Sequence, residues 1–465
     1  MTSDDDLCFM PARELAAAIR TRQVSPVEVV DAHLARIHRV DPQLRGYCTL
    51  TEERARAAAR EAEAALMRGG VPGPLHGVPV SVKDLLFVEG VRAMRGSAIF
   101  EDFVPAFDSP SVERLKRAGA IVLGKTSTSE FGWKGVTDSR VSGVTRNPWQ
   151  LECTPGGSSG GAAATVCAGL GTLALGTDGG GSIRIPASFT GVFGLKPSFG
   201  LVPMWPPNAA AQFAHAGPIT RTVRDAALML NVIAGADDRD LGSIPGGSGD
   251  YIAACDGGIS GLAIAWSPTL GDARVDPEIA RVTAAALDTF ADLGCRVEEV
   301  DTEFESAEAI FTTIWTASIG AFLKPYLAKW QDRMDPGLVE LVKSAARLTA
   351  DQFGRALLER PLRWQSFRTL FEKFDLLVTP TLPVAAFPVD AESVMGKPAT
   401  SLSWTPFTYP FNLTGQPAAS VPCGFTDAGL PVGLQIVGRR HADRTVLRAC
   451  AAFEEARPSK GRPPI

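Results

Sequence analysis

Residues 153–184 read CTPGGSSGGAAATVCAGLGTLALGTDGGGSIR. The stretch from 153 to 177 carries no formal charge over about the length of a membrane-spanning helix. Its first part is a Pro/Gly/Ser-rich loop, 161–168 is a helix of small residues, and 172–175 reads as a buried strand. The apolar character therefore belongs to a core β-α-β piece and not to a span. Ser158 and Ser182 both sit among glycines, which let the backbone turn sharply and bring its N–H groups close to a reacting carbonyl. Such a pair points to serine hydrolysis, which still needs a base. Upstream, HGVPVSVKDLLFV at 76–88 sets Lys83 in an apolar, β-like run where loss of water pushes the amine toward its neutral form. Asp84 alternates to the other face.

With the Lys83 strand, GGSSGG at 156–161 and GTDGGGSIRIP at 176–186, the chain resembles the amidase signature hydrolases. The likeness continues through GKTSTSEF from Gly124, NPW from Asn147, GPITRTVRDAA from Gly217, and NLTGQPAASVP through GLPVGLQIVG from Asn412. The resemblance implies that Lys83, a cis-configured Ser158 and the nucleophile Ser182 are catalytic. It implies an oxyanion hole from the N–H groups of Gly179, Gly180, Gly181 and Ser182. Each such donor is typically worth about 2.7–4 kcal/mol of transition-state stabilisation. Ser159, Thr177, Asp178 and Arg184 are expected to support the site, the last three by holding the loop through hydrogen bonds or an ion pair.

Two other motifs compete. Residues 157–161 also satisfy G-x-S-x-G, with Ser159 as attacking group. That elbow needs a preceding strand and a later acid and histidine, whereas a Pro-Gly-Gly loop precedes it and only His215 and His441 follow. GAIVLGKT at 119–126 matches a phosphate-binding loop, but 120–123 reads as a buried strand whose N–H groups bond to neighbouring strands. Lys125 and Thr126 are expected to pack or hydrogen-bond at the site edge.

A chain of 465 residues with 45% hydrophobic and 21% charged content is an ordinary globular protein. No linker divides it cleanly, and 244–261 looks like a surface loop. From 12 to 67 the pattern is helical, stopped by Gly69-Gly70. Short apolar strands (PVSVKDLLFV, AIVLGKT, LALGT, LAIAW, LLVTPT, GLQIVG) then alternate with helices such as SPSVERLKRAG. The alternation predicts an α/β sheet covered on both faces. With the resemblance, the expected fold is one large domain around a central mixed, mostly parallel twisted sheet. Its parts are N-terminal helices at 1–70, a core at 71–235 with Lys83, Ser158 and Ser182, a helical pocket wall or lid at 303–372, and the C-terminal part of the core at 373–465.

Net charge −5 and a pI near 5.7 provide no basic stripe for nucleic acid, and a membrane surface is disfavoured too. The acidic start MTSDDDLCF lacks a secretory pattern, and eight scattered cysteines fit reduced thiols, so the protein is expected in the cytoplasm. The five histidines form no metal-ligand cluster, and no cofactor or metal is expected. His215 reads as a structural histidine.

The expected reaction is cleavage of a carboxamide or related acyl bond through an acyl-enzyme on Ser182, with no cofactor. Relatives in this family cleave amides, anilides, esters and carbamates, so aryl or alkyl amides, esters and urethanes are all open. The aromatic residues Phe311, Trp315, Phe322, Trp330, Trp404, Phe407 and Tyr409 suggest an apolar or aryl pocket. The alternative is the glutamine-hydrolysing subunit of a tRNA-dependent amidotransferase. Those subunits carry an aspartate for the substrate amino group where this chain has Thr405, seven residues before Asn412. A catalytically silent interaction protein is a third reading, disfavoured by three intact reactive positions. Assembly is open between monomer and homodimer.

Overall fold

A computed structural model describes residues 4–210, 212–245, 250–300, 304, 306–459 and 461–465. The centre of the expected loop at 246–249 and the start of the expected lid at Glu303 lie outside the described residues. The rest of that loop contains a short helix, Tyr251–Ala254, which buries Tyr251.

The N-terminal helices form where expected. In Pro26–Leu44, Ser25 accepts from the Val27 N–H while Glu28 accepts from the Ser25 N–H. Two of the helix's orphan donors are thereby satisfied in a capping box. The next helix, Glu52–Met67, stops before Gly69, whose φ of +79° suits glycine. Between them lies an unexpected short strand, Tyr47–Leu50.

Among the described residues eleven strands form one sheet, ordered Tyr47–Leu50, Ile121–Thr126, Pro79–Lys83, Leu173–Asp178, His215–Thr220, Phe193–Lys196, Ala418–Phe425, Pro431–Gly438, Leu376–Pro380, Ala263–Trp266, Arg296–Glu299. The sheet is mixed, as expected, with helices against both faces. Parallel pairing is confined to two flanks: Pro79–Lys83 with both of its neighbours, and Ala263–Trp266 with both of its neighbours. The middle is antiparallel, so the sheet is not mostly parallel. One cause is local. Only five residues join Ala418–Phe425 to Pro431–Gly438, too few for the crossover that a parallel pair requires.

Pro79–Lys83 also ends sooner than the apolar run to Val88 suggests. The Leu86 N–H donates to the Lys83 carbonyl at 2.9 Å, turning the chain immediately after the lysine. This turn leaves Lys83 at the carboxyl end of its strand. Val80 and Val82 enter the main core with Leu115 and Val112 of the helix Pro110–Arg117, while Lys83 faces the opposite side. Ile121–Thr126 is a paired strand, which removes the phosphate-loop reading. Lys125 is buried against Asp84, 3.0 Å away, on the face away from Lys83.

The segment 153–184 is a loop, the helix Gly160–Cys167 and the strand Leu173–Asp178, nearly all buried. Among the described residues no helix is long and apolar enough to cross a membrane. The C-terminal half adds the helices Glu308–Trp330, Pro336–Ala345 and Ala350–Lys373.

Candidate active site

Three chain turns meet at the carboxyl end of the parallel flank: the end of Pro79–Lys83, the turn before Gly160–Cys167, and the turn after Leu173–Asp178. They bring Lys83, Ser158 and Ser182 into one line. Lys83 Nζ is 2.7 Å from Ser158 Oγ, which is 3.0 Å from Ser182 Oγ. All three side chains are buried, Lys83 completely. The Gly157–Ser158 peptide is cis. Glycine is required at 156, where φ is +78° and a Cβ would stand 2.9 Å from Ile185.

Burial pushes the Lys83 amine well below the usual lysine range, and the charge of Asp178 opposes this less strongly. Its surroundings suit a neutral amine. Ser159 Oγ lies 2.8 Å and the Thr177 carbonyl 3.4 Å from Nζ. Ser159 spends its own proton on the Thr177 carbonyl, at 3.0 Å. Its oxygen is therefore left to accept. A neutral amine has two N–H bonds and one lone pair to divide among Ser158, Ser159 and the Thr177 carbonyl.

The loop 178–183 is tied from inside. The Asp178 carboxylate accepts from the Gly181 N–H at 2.7 Å and the Ile183 N–H at 3.2 Å, and pairs with fully buried Arg184 at 3.0 Å. Burial acts to raise the Asp178 carboxyl, but Arg184, with the hydrogen bond from Asn412, outweighs it and holds the group well below the usual carboxylate range. The Gly181 N–H, expected among the oxyanion donors, is thus engaged by Asp178 in this structure. The N–H groups of Gly179, Gly180 and Ser182 make no hydrogen bond among the described residues.

Sequence reading missed the outer partners of Arg184. Its guanidinium also donates to the Thr408 carbonyl at 2.9 Å, Gln435 Oε1 at 2.8 Å and Asn412 Oδ1 at 2.7 Å. The available signal was a lone amide in each of two apolar runs, PFNLT and GLQIVG. His215 is buried, with Nδ1 2.6 Å from the Phe213 carbonyl and Nε2 3.3 Å from Lys196. Burial holds it well below the usual histidine range, and Lys196 adds to this. His441 is exposed. Ser159 is preceded by a loop and engaged with Lys83 and Thr177, unlike an elbow serine.

The expected aromatic residues divide. Phe311 and Trp315 roof the loop: a Cβ at Gly180 would stand 2.9 Å from Phe311, and one at Gly179 3.0 Å from Trp315. Tyr409 stacks on Phe311 at 5.1 Å, and Phe322 meets Phe131 at 5.9 Å. Trp330 is partly exposed, between Lys329 and Arg333. Trp404 stacks on Phe189, and Phe407 joins a separate core with Phe411. These last two pack in the interior, while their neighbours Leu402 and Tyr409 join the roof cluster. Among the described residues no group of three or more His, Cys, Asp or Glu could hold a metal ion.

The fold is a mixed-sheet α/β architecture in which Lys83, Ser158 and Ser182 lie buried in contact. The Amidase family profile matches residues 28–447, and the chain belongs to that family, the amidase signature enzymes acting on amides. It is 39% identical to an acylamidase of Rhodococcus erythropolis, over 99% of this chain and 98% of that protein. It is 38% identical to a glutamyl-tRNA(Gln) amidotransferase subunit of Moorella thermoacetica, over 97% of each. The crystal structure of a bacterial aryl acylamidase of the same family superposes with a TM-score of 0.92 at 32% identity, covering 97% of both chains.

Proposed function

We propose that the protein hydrolyses an aryl or alkyl carboxamide of a small molecule through an acyl-enzyme on Ser182. Ser182 Oγ attacks the carbonyl carbon, its proton passes to Ser158, and the Ser158 proton passes to Lys83. The resulting oxyanion is met by the N–H groups of Gly179, Gly180 and Ser182. When the carbon–nitrogen bond breaks, Lys83 returns the proton through Ser158 to the departing amine, since an amide anion cannot leave. Water then repeats the path and releases the acid.

The observation that carries this reading is the unbroken Lys83–Ser158–Ser182 contact line, built on an amine whose burial favours its neutral form. The likeness to acylamidases favours an acyl amide over a free amino acid amide. An ester, whose leaving group needs less help from a proton, is open to the same chemistry, and a carbamate is open to it as well. Eight unpaired cysteines suit a cytoplasmic setting.

A second reading, glutamine hydrolysis for a tRNA amidotransferase, draws on the 38% identity to a component of such an enzyme. Thr405 counts against it: the residue is buried, uncharged and bonded to the Leu402 carbonyl at 2.7 Å. Intact mass after treatment with a serine-directed phosphonate tests the first reading, alongside turnover of anilides by the isolated chain. Labelling at Ser182, absent in Ser182→Ala, supports it. An adduct on Ser159, or glutamine turnover without anilide turnover, refutes it.

A further inference from the structure

A group of charges that the reaction does not use joins the helical roof to the loop sheltering Ser158. The Lys134 side chain is 5% exposed, and its Nζ lies 2.7 Å from Asp335 Oδ2 and also meets Asp138. Asp335 caps Pro336–Ala345, its Oδ1 accepting from the Gly337 N–H at 2.9 Å. Its own N–H donates to Glu130 Oε2 at 2.6 Å, and the other Glu130 oxygen accepts from Ser97 at 2.6 Å.

On one side of this joint is Ser158. A Cβ at Gly132 would stand 3.0 Å from Ser158 Oγ. Thr137 Oγ1 donates to the Gly156 carbonyl at 2.8 Å and accepts from the Gly160 N–H at 3.0 Å, bracketing the two serines. On the other side is the roof. Pro336–Ala345 packs on Glu308–Trp330 where Gly320 meets Ala345, and Glu308–Trp330 carries Phe311 and Trp315 onto Gly180 and Gly179. A buried ion pair is a poor source of stability compared with apolar packing, but its direction and length fix one alignment.

We propose that Asp335, through Lys134 and Glu130, is a positioning residue that sets the helical roof against the Ser158 loop, so that a bulky acyl amide lies in line with Ser182. This rests on the reading of Ser182 and Ser158 given above. A small amide that does not reach the roof depends on the joint far less than an aryl amide does.

The test is Asp335→Asn, which keeps the capping oxygen and the backbone N–H to Glu130 and removes only the charge facing Lys134. Two readouts are compared with the parent: kcat/KM for an anilide and for acetamide, and hydrogen exchange across 308–345. The expected result is a loss of about tenfold on the anilide, as for a small misplacement of substrate. Acetamide should change far less, and exchange should quicken in 308–345 but not in the sheet. Equal losses on both amides, or unchanged exchange in 308–345, overturn the proposal, as does faster exchange throughout the sheet. Exchange needs no turnover. Failure of the parent to label at Ser182 therefore counts against the nucleophile alone, and unchanged exchange against the joint alone.

Discussion

Ser159 Oγ lies 2.8 Å from Lys83 Nζ and accepts one of its N–H bonds, because the serine's own proton is committed to the Thr177 carbonyl. On the proposed mechanism Ser159 thus orients the amine without lying on the proton path. Ser159→Ala removes this acceptor and frees the amine to rotate. We expect kcat to fall by roughly 10–100-fold, as for one buried hydrogen bond of about 1.5–3 kcal/mol. Steady-state turnover checks this, with phosphonate labelling at Ser182 slowed but retained.

Lys83→Met removes the base and leaves the buried volume nearly filled. The expected loss in kcat is about 10²–10⁴-fold, the usual contribution of a positioned base. Turnover of an activated ester should suffer less than that of an anilide, because its leaving group needs no proton.

The pH dependence follows from the same amine. On the proposed mechanism Lys83 works neutral, and burial depresses its pKa well below the usual lysine range. Activity should rise with pH through that depressed value and then level, and His215, held neutral by burial, should add no limb. Stability has the matching sign. Between the folded pKa and the ordinary lysine value near 10.5, the unfolded chain binds more protons, so the parent gains stability as pH rises. Thermal melts across this window should show the slope in the parent and a flatter line in Lys83→Met.

Arg184→Met leaves the Asp178 carboxylate buried without its partner. Breaking such a pair costs about 3–5 kcal/mol, so the melting temperature should drop sharply. Asp178 also binds the Gly181 and Ile183 N–H groups, so any enzyme that remains folded should turn over far more slowly.

Gly180→Ala places a Cβ 2.9 Å from Phe311 and 3.0 Å from Leu402, both at side-chain tips. We expect a loss of anilide turnover that Phe311→Ala partly restores. A double-mutant cycle with no coupling between the two positions would contradict the contact.

Local sequence determined much of this protein. Glycines around Ser158 and Ser182 and apolar neighbours around Lys83 mark the proposed reactive positions, because backbone freedom and desolvation are properties of short segments. The capping box at Ser25 and Glu28, and the glycine stop after Met67, are likewise local. Tertiary structure decided the rest. Whether the Gly181 N–H is free depended on Asp178 turning back onto its own loop. That carboxylate is held by Arg184 and by Asn412, and Gln435, from another distant segment, fixes Arg184 in turn. The antiparallel middle of the sheet depended on which strands meet. Trp404 and Phe407 share the composition of Phe311 and Trp315 but pack elsewhere. Hydrogen-bond partners and facing surfaces far apart in the chain are chosen by global packing, and no short segment encodes that choice.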